Sequence, residues 1–340
     1  SVKGRSIGVY VGLMTVDWDG RQAQQLNAFY ATSVERAIHS NRVSYVLGLS
    51  GPSVTVDTAC SSSLVAVHLA KQALESGDCD IAVAAGVNLM LTPEAFVVEC
   101  QAGMLSPDCR CKTFDASANG YVRGEGCGAV VLERAASCDE SRVYAVVRGS
   151  ATNQDGRSAG LTAPNGPAQQ EVISKALQRA GLAGHEIDYV ETHGTGTALG
   201  DPIEVGALRA VLGKGRGEER PLCLGALKTQ IGHTEGAAGI AGLIKAVLCL
   251  QHGVVPGNLH MRELNPRLPF EGFAHVLPCG EGHVLGAHRG SGEPLSSGLA
   301  LHAGVSSFGF GGANAHVVLS HDRALMTRKL SAPHSHSWNR

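Results

Sequence analysis

EGAAGIAGLIKAVLCLQHG, residues 235–253, decides the fold. Ala237, Ala238, Ile240, Leu243, Ile244, Val247, Leu248 and Leu250 put apolar side chains all round a helix that closes at Gly253. A helix with no polar face is buried on every side. SSSLVAVHLAKQALESG, residues 61–77, reads as a second helix of largely the same kind, ending at Gly77. Each follows a strand and a polar turn: SVTVDTA (53–59) before one, LCLGALK (222–228) before the other. Two buried helices point to a central layer between two sheets. The repeated strand–turn–helix unit hints at duplication, although the local identity is weak.

Working outward, Ile7 to Leu13 reads as a strand and Ala23 to Asn41 as a helix. IAVAAGVNLML (81–91), GAVVLE (128–133) and VYAVVRGSA (143–151) read as strands. Ala168 to Ala180 is a helix closed by Gly181, and IDYVETH (187–193) is a strand. Pro202 to Leu212 is a helix for which Asp201 is the expected cap. GEGHVLGAHRGSGEPLSSG (280–298) is loop-like, GVSSFGFGGANAHVVL (304–319) resumes as turn plus strand, and 321–340 reads as a tail or linker stub.

Composition narrows the function. With 340 residues, 44 % hydrophobic and 17 % charged, the chain can bury a large core. The net charge of -2 carries no basic block for nucleic acid and no acidic tail for a basic partner. No run of eighteen apolar residues predicts a membrane span. Ten cysteines lie without a secreted framework, and Cys109 and Cys111 lack the second pair a zinc site needs. The expectation is no metal and a reducing compartment, cytoplasmic, with an organelle as the alternative.

Three strings carry chemistry: VDTACSSS around Cys60, HGTGT from His193, and KTQIGH from Lys228 to His233. Cys60 lies between a strand and a helix start, where a turn lifts a nucleophile and a helix N-terminus lowers its pKa toward the thiolate. The bland alternative is a buried structural cysteine, the commoner fate of the residue type. His193 ends a strand, where α/β sheets bind ligands. Thr195 and Thr197 add hydroxyls; the bland reading is a loop histidine capping a carbonyl. For Lys228 the alternative is a solvated lysine, and for His233 a helix N-terminal cap. GFGGANAH around Phe310 is either a pocket of backbone N–H groups for an oxyanion or a tight turn. GYVRGEGCG (120–128) is a weak dinucleotide fingerprint, since no strand precedes it in register.

Together, VDTACSSSLVAVHLA, LTPEAF, NQDG…GLTAPNGPAQQ, ETHGTGTALGDPIE, KTQIGHTEGAAGIAGLIK and GVSSFGFGGANAHVVL resemble the blocks of the β-ketoacyl synthase (ketosynthase) domain of type I polyketide synthases and related fatty acid synthases. The resemblance covers about Ile7 to Leu319. It implies an α/β, thiolase-like fold of five layers, αβαβα, in two duplicated halves: 1–135, lacking its N-terminal block, and 141–320. It implies Cys60 as the acyl-accepting nucleophile, with His193, His233 and Lys228 serving decarboxylation of a malonyl unit. Backbone N–H groups of Cys60 and Phe310 would form the oxyanion hole. Phe310 would gate the acyl pocket, with Phe308 nearby. Thr195 and Thr197 would hold a phosphopantetheine arm, and Asp201 and Glu204 would be a structural acidic pair.

The implied reaction is decarboxylative Claisen condensation of a Cys-bound acyl chain with a malonyl-type thioester. No cofactor is bound; the substrates ride on the phosphopantetheine of an acyl carrier protein or carrier domain. A homodimer and an acyltransferase domain in the same chain are expected. The alternatives are a non-elongating acyl-transferring or decarboxylating relative, and a non-catalytic chain-length-factor-like partner, which usually replaces the nucleophilic cysteine. Two departures stand out. Cys109 occupies a turn, SPDCRC, where relatives carry glycine, so a positive φ there is strained. LHAGVSS (301–307) replaces a basic pair common before AGVSS.

Overall fold

The computed structural model describes residues 4–18, 27–280, 282–286 and 300–322. The first half runs β1 (Ile7–Leu13), α1 (Tyr30–Val34), α2 (Ile38–Leu47), β2 (Ser53–Val56), α3 (Ser62–Ser76), β3 (Ile81–Asn88), α4 (Glu94–Gln101) and β4 (Gly126–Glu133). The second runs β5 (Val146–Gln154), α5 (Gly166–Ala180), β6 (Tyr189–Glu191), α6 (Gly200–Leu212), β7 (Leu222–Gly225), α7 (Lys228–Ile231), α8 (Ala238–His252), β8 (Val254–Val255), β9 (His275–Val276), β10 (His283–Val284), β11 (Ala300–Phe308) and β12 (Ala313–Asp322).

Two main sheets result. One has the order β2-β1-β3-β4, the other β5-β12-β11-β6-β7-β9. In the first, β2, β1 and β3 are parallel and β4 is antiparallel. In the second, β7, β6 and β11 are parallel and β12 is antiparallel. The halves therefore share one topology, with α3 and α8 in equivalent places. These two helices pack on each other between the sheets, α5 covers β5 and β12 outside, and α2 covers β1 and β2. The layers are α, β, α, β, α, as expected.

Glycine makes the central contact close. A Cβ on Gly12 of β1 would stand 2.3 Å from the Ser63 nitrogen, so α3 lies directly on that strand. Helix stops follow the sequence: Gly77, Gly181 and Gly253 each take a left-handed φ as C-caps. Asn165 caps α5 by accepting from the Ala168 N–H.

Five expectations need correction. The helix at 23–41 is partly outside the described residues, and the rest divides into α1 and α2. Leu248 is 46 % exposed, so α8 is not covered on every side; with Ile244, Cys127 and Val254 it lines a groove of about 570 Å³. GVSSF belongs to strand β11 rather than to a turn. Asp201 does not cap α6 but lies inside its first turn. Strand β12 runs through Asp322, while the tail at 323–340 lies outside the described residues.

Candidate active site

Cys60 sits at the junction of β2 and α3, on an elbow built by its neighbours. Ala59 takes φ 55, a left-handed conformation unfavourable for alanine. The flanking hydroxyls hold it there. The Ser62 Oγ accepts from the Thr58 N–H at 2.9 Å and donates to the Ala59 carbonyl at 2.5 Å. Ser61 Oγ donates to the Thr58 carbonyl at 2.9 Å. The serines after the thiol are thus the locks of the turn that presents it.

The second sheet meets this elbow through consecutive residues at the end of β11. Ser307 Oγ donates to the Cys60 carbonyl at 2.8 Å. The next residue, Phe308, donates its N–H to His193 Nδ1 at 3.3 Å. Two residues on, the Phe310 N–H stands near enough to Cys60 to draw its thiol pKa down. The turn approaches so closely that a Cβ on Gly309 would stand 2.3 Å from the Thr58 carbonyl oxygen. The Phe308 ring is buried, 5.7 Å from the His193 ring, whereas Phe310 is 49 % exposed.

His193 follows β6 in a turn that two buried carboxylates organise. Glu204 accepts from the N–H of His193 at 2.7 Å and of Gly194 at 2.9 Å. Asp201 accepts from the N–H of Gly196 at 3.1 Å and of Phe114 at 3.0 Å. Burial lifts the Glu204 carboxyl to about 7 and the Asp201 carboxyl to about 6, against the pull of those N–H groups. The Thr195 and Thr197 hydroxyls face each other at 3.3 Å, and Thr197 also accepts from the Gly200 N–H.

His233 lies 5.6 Å from His193, ring to ring, at 88°. Its Nδ1 accepts the Glu235 N–H at 3.0 Å, while Thr234, not His233, stands at the N-cap of the short helix that follows. Because backbone donors occupy both Nδ1 atoms, each neutral ring carries its proton on Nε2. Desolvation, with the Lys228 charge behind it, holds both rings well below the usual imidazole pKa. Lys228 is buried at the start of α7, which removes the reading as a solvated lysine; burial lowers its own pKa, opposed by Glu191.

The thiol is not pre-ionised. Burial pushes Cys60 up to about 11, and the Phe310 N–H and the Lys228 charge only partly oppose this. The expected lowering by the α3 N-terminus is outweighed by desolvation. Elsewhere, Cys109 does take φ 53, the left-handed turn its position foreshadowed. No cluster of metal ligands occurs among the described residues.

Sequence reasoning missed a charged group behind His233. Arg123 Nη2 donates to Glu235 at 3.0 Å, and Nε is ion-paired with the same carboxylate. Glu99 stands 3.5 Å away and takes the Tyr121 hydroxyl at 3.2 Å. In GYVRGEGCG the nearby acid is Glu125, and nothing in the spacing pointed to Glu235, 112 positions on. A second buried pair, Glu191 and Lys245 at 2.8 Å, joins β6 to α8.

A thiol, two neutral imidazoles and converging N–H donors in one buried cluster define a condensing enzyme of the thiolase-like class. The chain belongs to the β-ketoacyl synthase family: the Beta-ketoacyl synthase N-terminal domain matches residues 1–137 and the C-terminal domain residues 144–262. Within it, the chain is a ketosynthase domain of the type I polyketide synthase kind, an acyltransferase that condenses acyl units. It is 50 % identical over 324 residues to a phenolphthiocerol/phthiocerol polyketide synthase of Mycobacterium tuberculosis (strain CDC 1551 / Oshkosh), covering 94 % of this chain and 17 % of that protein. It is 48 % identical to the phenolphthiocerol synthesis polyketide synthase type I Pks15/1 of Mycobacterium bovis, covering 94 % of this chain and 15 % of that one. The chain thus spans about a sixth of the length of these curated relatives. Among solved structures, the ketosynthase from module 6 of the bacillaene synthase from Bacillus subtilis 168 superposes with a TM-score of 0.83 at 39 % identity, covering 94 % of this chain and 54 % of that one. The non-elongating and chain-length-factor-like alternatives are not favoured.

Proposed function

We propose that Cys60, His193, His233 and Lys228 carry a decarboxylative Claisen condensation in polyketide biosynthesis. The Cys60 sulfur attacks an acyl thioester, the carrier thiol leaves with the thiol proton, and an acyl-Cys60 thioester remains. A malonyl-type thioester then loses CO2, and its two bonding electrons become an enolate. The Nε2–H groups of His193 and His233 stabilise the enolate oxygen without first losing a proton. The enolate carbon attacks the acyl carbonyl, the N–H groups of Cys60 and Phe310 take the oxyanion, and the Cys60 thiolate leaves and is reprotonated. Thr195 and Thr197 hold the phosphopantetheine arm of the incoming substrate, while Phe308 and the half-exposed Phe310 flank the acyl entrance. Asp201 and Glu204 hold the His193 turn.

The observation that carries this reading is the pair Ser307–Phe308, whose first residue holds the Cys60 carbonyl and whose second holds His193 Nδ1, so that one strand end ties the thiol to the imidazole. An acyl carrier protein or carrier domain, an acyltransferase domain in the same chain and a second copy of the domain are the proposed partners. The halves 1–135 and 141–320 form one catalytic unit, since the site takes residues from both. All ten cysteines are free, which supports a reducing, cytoplasmic setting.

Cys60→Ala is expected to abolish acyl-enzyme formation and leave the fold intact, read by intact-protein mass spectrometry with an acyl thioester. Equal labelling of both proteins would remove Cys60 from the mechanism. His193→Ala and His233→Ala are expected to acylate normally and to lose on the order of 10²- to 10³-fold in CO2 release from a malonyl carrier. Unchanged release in both would contradict the assigned roles.

A further inference from the structure

We infer that Arg123 and Glu235 are a positioning pair that fixes the proton of His233 on Nε2. The inference rests on the condensing role proposed above and adds how one imidazole is kept in its working tautomer. Glu235 takes φ 44, a left-handed conformation that an L-residue with a side chain adopts at a cost. With the helix after it fixed in place, that turn holds the Thr234–Glu235 peptide where its N–H meets His233 Nδ1, 3.0 Å away. A donor at Nδ1 leaves no room for a proton there, so the neutral ring holds its hydrogen on Nε2.

The strain is held by Arg123. Its guanidinium grips both Glu235 oxygens, through Nε and through Nη2 at 3.0 Å, and neither side chain is exposed beyond 1 %. Bidentate geometry fixes orientation as well as distance. Arg123 is itself fixed. Its face lies 4.4 Å from the Phe96 ring centroid, and Glu99 stands 3.5 Å from Nε. The backbone around it also grips His233: the His233 N–H donates to the Val122 carbonyl at 2.7 Å, and the Gly124 N–H donates to the His233 carbonyl at 2.8 Å. One short segment, Val122–Gly124, thus holds the His233 backbone on both sides and, through Glu235, its ring nitrogen. Neither Arg123 nor Glu235 touches reacting atoms in this scheme; both act through His233.

Glycine separates the carboxylate from the backbone it holds. Glu235→Ala and Glu235→Gly leave Arg123 equally without its partner. Only glycine, however, keeps the left-handed φ without an anchor. In the domain labelled with 15N-histidine, the His233 resonance pair, identified by its loss in His233→Gln, reports which nitrogen carries the proton. The wild type and Glu235→Gly are expected to show Nε2–H, and Glu235→Ala a tautomer mixture. Malonyl decarboxylation should fall on the order of tenfold in the alanine variant relative to the glycine variant, while KM and acylation of Cys60 stay close. If the single variants do not fold, the comparison is made on Arg123→Met/Glu235→Ala against Arg123→Met/Glu235→Gly, which leaves no orphaned arginine. Equal tautomers and equal rates in the alanine and glycine proteins would overturn the pair's role. A wild type with no decarboxylation at all would instead sink the condensing reading, and the tautomer comparison would still judge the pair.

Discussion

At the scale of the residue, the proton on Cys60 is the quantity to explain. A thiol pushed up to about 11 is almost wholly protonated at neutral pH, so nucleophilicity arises during attack rather than at rest. Burial protects such a sulfur from stray electrophiles, and the Phe310 N–H and Lys228 charge lower the barrier to ionisation once substrate arrives. Alkylation of Cys60 by iodoacetamide, followed by mass spectrometry, is therefore expected to rise steadily across pH 7 to 9.5 without a plateau. A midpoint below 7 would contradict the desolvated thiol. The sign at Lys228 follows. A cation favours the thiolate, so Lys228→Met raises the Cys60 pKa further and slows alkylation at pH 8, by about tenfold if the shift is one unit. The two histidines behave oppositely. Their folded pKa values lie well below the usual one, so they stay neutral through pH 6.5. Decarboxylation measured against pH is expected to show no limb near 6.5.

Among the elements, three turns make the site, and each is held from elsewhere. Glu204 is the clearest, since one carboxylate takes two successive N–H groups of the His193 turn. Glu204→Gln sets an amide N–H against one of those donors and is expected to cost about 1–3 kcal/mol in urea unfolding. Its pH dependence has a definite sign. The folded pKa of about 7 exceeds the ordinary value of about 4.3, so this group's contribution is full below pH 4.3 and is lost as pH rises through 7. The glutamine variant should lack that part of the slope; a parallel pH profile for both proteins would refute the raised carboxyl. Much at this scale could be read in the sequence, because it is local: the elbow at TACSS, the glycine stops at 77, 181 and 253, the histidine after a strand. The remainder depends on distant partners. Asp201 turns inward because Phe114, 87 positions away, offers it an N–H. Strand β11 hid its period because Gly304, Ser306 and Ser307 are small residues buried on both faces. Arg123 and Glu235 are 112 positions apart and no spacing announces them.

For the whole molecule, two largely apolar helices pointed to a central layer between two sheets, and the five layers were what the family resemblance implied. The duplication then emerges at full strength in the topology, where β2-β1-β3-β4 and β7-β6-β11-β12 share order and direction. Cys60 and His233 thus lead into α3 and α8, equivalent helices of the two halves, and the site lies where both halves meet. One edge of the first sheet bears on assembly. Among the described residues β2 pairs only with β1, Val54 on it is 36 % exposed, and the adjoining α2 exposes Tyr45 at 87 % and Val46 at 71 %. An apolar edge with unpaired backbone groups is a template for another strand, and a second copy offers the same edge. Two domains pairing across β2 would extend one sheet through both and brace the strand that delivers Cys60. Val54→Lys places a charge on that edge, so the wild type is expected to elute as a dimer and the variant as a monomer in size-exclusion chromatography with light scattering. Circular dichroism should report retained secondary structure, and acylation of Cys60 should slow in the monomer because its elbow loses support. A wild type that is monomeric at micromolar concentration, or a lysine variant that remains dimeric, would show that the two copies do not meet at β2.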